Sequence, residues 1–237
     1  MSRARRALRD VPLRVLYCDN HLLVVAKPAG IPTVPVASGD ESLLDQAKAW
    51  VRAEFAKPGE VFLGVVHRLD RPVSGVVAFA RTSKAAARLS SSLREGRARK
   101  VYRAVGEGSP REDAGVLEQW LTKDEAKNRV RASAQPRSDA KHAITHWRVL
   151  ARGAGRTLYE FAPETGRPHQ LRVCAATLGT PLLGDVKYGA KEPLPDASVA
   201  LHATELEIDH PTRKERMRFV DPTPREAPWD LRPSDRD

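Results

Sequence analysis

The order of apolar and polar positions along the chain predicts a mixture of strands and helices. Strand-like runs at residues 13–17 and 22–26 lead into Lys27-Pro28-Ala29-Gly30-Ile31-Pro32, a stretch dense in turn residues. Ser42, with Asp45 three positions on, has the form of a capping box, and Leu43, Ala47, Trp50 and Val51 then recur at helical spacing until Lys57-Pro58-Gly59. Two apolar runs, 61–66 and 74–80, read as buried strands. Residues 83–95 read as a helix with Ala86, Leu89 and Leu93 inward and Gly96 at its end. Alternation predicts strands at 101–105, 143–150 and 158–161, and a helix over 168–178 followed by Gly179. The polar stretch 108–140 is expected to hold a short strand and a surface excursion. There are no internal repeats and no regular βαβ rhythm. The expected class is therefore α+β, with a mixed, largely antiparallel central sheet flanked by helices. Three segments are expected: a basic arm at 1–12, one large domain at 13–221, and a Pro-rich extended tail at 222–237.

Composition narrows the class of partner. Lysine and arginine total 40 against 30 acids, a formal charge of +10, which favours a polyanion. Two cysteines, Cys18 and Cys174, do not make a disulfide framework and fit a reducing compartment. No apolar run approaches the length needed to span a membrane, and Asp19-Asn20-His21 interrupts the segment after the basic N-terminus. A soluble, cytoplasmic protein is expected.

Between the two apolar runs stands His67-Arg68-Leu69-Asp70. A lone carboxylate at a strand end, with an arginine two positions before it, suits a nucleophile or a base. The same four residues also fit a plain turn in which the aspartate caps backbone N–H groups. In Gly166-Arg167-Pro168-His169-Gln170-Leu171-Arg172, the helical pattern puts Leu171, Cys174, Ala175 and Leu178 on a core face and His169 and Arg172 on another. A helix start with these cations suits a phosphate or carboxylate partner, and a solvated face fits equally well. Tyr102, in Lys100-Val101-Tyr102-Arg103-Ala104, reads as strand packing or as a platform for a base. Residues 81–103 hold eight basic side chains, Arg94, Arg97, Arg99 and Lys100 among them, and one acid, Glu95. That local charge of +7 is either a phosphate-tracking stripe or a solvated face. His142 and His146 have helical zinc-site spacing but sit in a strand pattern, which sets them about 13 Å apart, so no metal site is expected.

Together these blocks resemble the RluA-type family of pseudouridine synthases. The matching pieces run in family order: Lys27-Pro28-Ala29-Gly30; His67-Arg68-Leu69-Asp70 with Ser74-Gly75; Lys100-Val101-Tyr102-Arg103-Ala104; Gly166 to Arg172; Gly184-Asp185-Val186-Lys187-Tyr188-Gly189; and Leu201-His202-Ala203. Any one is weak, whereas six in order are specific. The resemblance implies a pseudouridine synthase fold with a catalytic cleft, and a monomer that isomerises a uridine in structured RNA, a stem-loop of rRNA or tRNA, without metal or organic cofactor. It also implies that Asp70 is the nucleophile and that Arg68 inserts where the flipped base departed. Tyr102 packs on the uracil and Arg172 partners the aspartate. His67, Arg167, His169, Arg94, Arg97, Arg99 and Lys100 are expected to contact RNA. The chain departs from the family pattern at Val73, Pro168 and Cys174, all neighbours of the motifs. The alternative is a non-catalytic RNA-binding or RNA-folding protein with the same fold; loss of Asp70, Tyr102 or Arg172 would mark it, and all three are present.

Overall fold

The computed structural model describes residues 12–56, 58–213, 215–224 and 226–231. Most of the expected basic arm lies outside the described residues. The chain divides into two compact units, one built from the residues up to Arg99 with Glu205–Asp221, the other from Lys100–Thr204 with the residues from Pro222 onward.

In the first unit, β1 (Arg14–Cys18) pairs antiparallel with β2 (Leu22–Lys27), and β2 pairs antiparallel with β4 (Ser74–Ala80). β2 and β4 are almost continuously apolar and are buried along nearly their whole length, as expected of central strands. The 61–66 run is not the buried strand its composition predicts. Only Gly64–Val65 (β3) pairs with β4, and Phe62 is 52% exposed. Helix α1 (Leu43–Glu54) starts at Ser42, whose hydroxyl and backbone N–H both pair with Asp45 in a complete capping box. Helix α2 (Ser83–Arg94) is capped by Thr82 and buries Ala85 and Leu89 against Leu22, Val24, Val76 and Ala78. The C-terminal half of β10 (Leu201–Asp209) adds Leu206 and Ile208 to this core and pairs with β11 (Arg216–Val220).

In the second unit, strands β5 (Arg99–Glu107), β9 (Arg156–Pro163), β8 (Lys141–Gly153), β6 (Ala114–Asp124) and β7 (Arg129–Ser133) follow one another in an antiparallel array. The expected short strand in 108–140 is in fact a long hairpin, β6–β7. Its alternation is masked in sequence by charged residues on the exposed face, while Leu121 and Val130 point inward. Residues 222–231 also depart from a free extended tail: Trp229 is buried with Val105, Leu158 and Ala200, and Arg156 pairs with Asp230. Helix α3 (Gln170–Thr177) is shorter than predicted, because His169 stands before it in a left-handed conformation (φ 52°).

Candidate active site

Asp70 sits half-buried on the loop between β3 and β4, and that loop is tied down from several sides. The Thr33 hydroxyl donates to Leu69 O at 2.8 Å and accepts from Leu69 N–H at 3.2 Å, so one side chain closes both backbone groups of the residue before Asp70. Val73 N–H donates to Asp70 O at 3.1 Å and closes the turn. Beneath it, the Lys27 ammonium donates to Pro28 O, Arg71 O and Val73 O at 3.0, 3.1 and 2.7 Å. Gly30 N–H donates to the same Arg71 carbonyl at 2.8 Å, from a left-handed backbone (φ 91°) that favours glycine. The Lys27-Pro28-Ala29-Gly30 motif is thus a clamp on the Asp70 loop. Burial pulls the Lys27 pKa down to about 7, with the Asp70 carboxylate drawing it back up and Arg71 lowering it. Sequence reasoning assigned Lys27 no role; its place at a strand end, immediately before a turn, was the available signal.

The other sequence-predicted residues of this unit divide. Arg68 is exposed. His67 is partly spent on structure, its Nε2 accepting the Ala78 N–H at 2.9 Å beside the end of β3. The basic stripe is not the isolated charge that its sequence shows. Arg97 pairs with Glu95 and with Asp209, Arg99 with Glu207 at 2.7 Å, Arg216 with Asp209 at 3.2 Å and Arg218 with Glu205 at 2.6 Å. Acids of β10, distant in sequence, stand beside the arginines, a ladder invisible to a local charge count. Arg94 is exposed.

In the second unit, Lys100 and Tyr102 are two apart on β5 and share a face, with Tyr102 opposite Phe161 of β9. Lys100 lies beside Gly166, its ammonium 3.8 Å from where a β-carbon there would stand, and burial lowers its pKa. The Gly166–Arg172 segment is fastened by Gln170. Its side-chain oxygen accepts from Thr165 Oγ1 at 2.8 Å and Arg167 N–H at 3.0 Å. Its amide group donates to Ile144 O and Thr145 Oγ1, both at 2.9 Å. All four hydrogen-bonding positions of the amide are therefore filled. Arg167 Nε donates to His142 O at 2.8 Å.

The expected split of α3 into core and polar faces is not found. Residues 170–175 are all buried, because strands and turns surround the helix. Arg172 is 6% exposed and forms a two-pronged pair with the fully enclosed Asp185 carboxylate, both contacts at 2.7 Å. Its guanidinium also lies over the Tyr188 ring, 5.1 Å from the centroid. His169 Nδ1 meets Tyr188 Oη at 2.6 Å. Asp185 and Tyr188 belong to the Gly184–Gly189 motif, to which the sequence assigns no role; a buried carboxylate needs a cation, and that is the missed signal. His142 and His146 sit on β8, paired with Glu118 and Glu164 respectively, and no cluster of metal-ligating side chains is found among the described residues.

The architecture is shared with solved pseudouridylate synthase domains. Human RNA pseudouridylate synthase domain containing 4 superimposes with a TM-score of 0.74 at 26% identity, over 94% of this chain and 91% of that one. A family model described as RNA pseudouridylate synthase matches residues 21–177. An uncharacterized RNA pseudouridine synthase of Zymomonas mobilis is 40% identical over 82% of this chain and 87% of its own. Ribosomal large subunit pseudouridine synthase D of Xanthomonas campestris is 35% identical over 94% of this chain and 70% of its own. The chain belongs to the RluA-type family of RNA pseudouridine synthases and is an isomerase acting on RNA. No helix among the described residues is long and apolar enough to cross a membrane.

Proposed function

We propose that this enzyme isomerises a specific uridine in a structured RNA stem-loop, with Asp70 as the reacting carboxylate. The observation that carries the reading is the clamp on Asp70: Thr33, Lys27 and Gly30 all hold the backbone of one short loop, which is the preorganisation a reacting group needs. In the reaction the N1–C1′ bond of the uridine breaks, the uracil turns, C5 bonds to C1′ and the C5 proton leaves. No metal or organic cofactor takes part. The base leaves its stack first, at a cost of a few kcal/mol, with Arg68 filling the gap and Tyr102 packing on the uracil. Arg172, with Asp185 on its guanidinium, is the buried cation of the Gly166–Arg172 segment that serves the reaction. The name of the Xanthomonas relative favours ribosomal RNA as substrate over transfer RNA. The enzyme works as a cytoplasmic monomer.

For grip, the ion-paired ladder redistributes the weight. Arg97 and Arg99 face acids, whereas Lys127, Arg129 and Arg131 on the β6–β7 hairpin are exposed and form no ion pair among the described residues. The hairpin, with Lys100, Arg167, His169, His67 and Arg94, supplies the phosphate contacts, and Arg97 and Arg99 contribute less.

The test is Asp70→Asn. It retains fold and RNA binding and releases no tritium from RNA carrying uridine labelled at C5. Turnover above a few per cent of wild type would remove Asp70 from the reaction.

A further inference from the structure

The segment Gly184-Asp185-Val186-Lys187-Tyr188-Gly189 lies between α3 and the β6–β7 hairpin and touches both. It is rigid. Tyr188 N–H and Ala190 N–H both donate to Asp185 O, at 2.9 and 3.1 Å, around a single 3₁₀ turn, Val186–Tyr188. Gly184 is held at φ 82°, where a β-carbon would stand 2.4 Å from Ser198 O. Lys187 Nζ donates to Asn128 O of the hairpin at 3.0 Å. The Tyr188 ring is buried with Leu121, Val130 and Val173, and it carries its hydroxyl into that cluster.

The hydroxyl is bound on two sides. Val130 N–H, which can only donate, approaches it at 2.8 Å and takes one lone pair. His169 Nδ1 lies 2.6 Å away. With Val130 on one lone pair, the hydroxyl still has its proton and its other lone pair for Nδ1, and the 2.6 Å contact ties the imidazole to Tyr188. His169 itself is a non-glycine residue at φ 52°, a strained conformation that persists only where its surroundings enforce it. Its own side chain caps nothing in α3. The Tyr188 hydrogen bond ties the ring down, beside an edge-to-face contact between the two rings at 5.7 Å.

We propose that Tyr188 is a positioning residue for pseudouridine formation: its hydroxyl holds the His169 ring at the start of α3 in the orientation the RNA substrate meets. Asp185, three residues earlier in the same turn, orients Arg172 in the same way, so one turn sets two of the polar side chains of the Gly166–Arg172 segment, His169 and Arg172. The inference rests on the reading that this segment serves the reaction.

The experiment is a double-mutant cycle with Tyr188→Phe and His169→Ala, read as single-turnover tritium release at subsaturating RNA. Tyr188→Phe keeps the ring and its packing and loses only the hydroxyl. Each single variant is expected to slow the reaction tenfold or more. The double variant is expected to match His169→Ala within twofold, because Tyr188 acts through His169. A Tyr188→Phe enzyme at the wild-type rate beside a slow His169→Ala overturns the inference, as does a double variant in which the losses multiply. His169→Ala at the wild-type rate overturns the inference and also the reading of the segment. The ¹⁵N resonance of His169 Nδ1 is expected to shift in Tyr188→Phe, which removes its hydrogen-bond partner. An unchanged Nδ1 resonance overturns the assignment.

Discussion

Lys27→Met should change how stability depends on pH. The Lys27 residue is 1% exposed, and burial moves its pKa from the usual lysine value of 10.5 to about 7, partly offset by Asp70 and reinforced by Arg71. On unfolding the group returns to water and to its ordinary value. Between pH 7 and 10.5 the unfolded chain therefore holds more protons than the folded one, so this group makes stability rise with pH. The contribution is fully present above 10.5 and is lost as the pH falls through about 7. The gradient approaches ~1.4 kcal/mol per pH unit in the middle of that window and tapers toward 7. Wild type should thus gain ~2 kcal/mol over Lys27→Met between pH 7 and 9. Methionine fills a similar volume, carries no proton, and takes the ammonium away from the Pro28, Arg71 and Val73 carbonyls, of which Arg71 O keeps the Gly30 N–H. Urea unfolding of both proteins at pH 7, 8 and 9 measures the gap. A gap that stays constant across the three values would refute the reasoning that burial strains the charge. Tritium release should also fall roughly tenfold, ~1.4 kcal/mol, because the Asp70 loop loses the pin beneath it.

Arg172→Met should cost ~3–5 kcal/mol in urea unfolding, since Asp185 is then a buried carboxylate without its cation. Adding Asp185→Leu should recover most of that loss while activity stays abolished, and a double variant no more stable than the single one would mean the pair is not what holds the turn. Arg129→Ala with Arg131→Ala should lower the slope of log affinity against log salt by about 1–2, as each lost phosphate contact releases one counterion fewer. Arg97→Ala with Arg99→Ala should change it by less, and the reverse ranking would restore the stripe as the main grip. Trp229→Ala should destabilise the enzyme by ~3–5 kcal/mol in thermal melts, and a neutral outcome would show that residues 222–231 do not help to close the second core.

Much of the fold was legible because its signals are local. Ser42 and Asp45 stand three apart and cap α1 as expected. The β2 and β4 runs are continuous and apolar because neither face meets water. The 61–66 run misled for the same reason in reverse: apolar composition was present, but only two residues pair with β4. The β6–β7 hairpin was underestimated because its outward positions are charged and its inward ones few. Strands β10 and β11 were recognised only as motif and remainder, since their pairing joins residues across a polar turn.

By itself the sequence determined the family and the class of reaction. Six short motifs in order are a statement about residue identity, and identity survives without coordinates. Tertiary structure alone decided what each side chain is bonded to. Lys27 meets carbonyls more than forty residues away, Arg99 meets an acid of β10, and Tyr188 joins His169 to Val130. Such partners are chosen by the closure of the chain in space. A local charge count or a helical period carries no term for them, because the free energy of a buried ion or hydroxyl depends on which distant group comes to satisfy it.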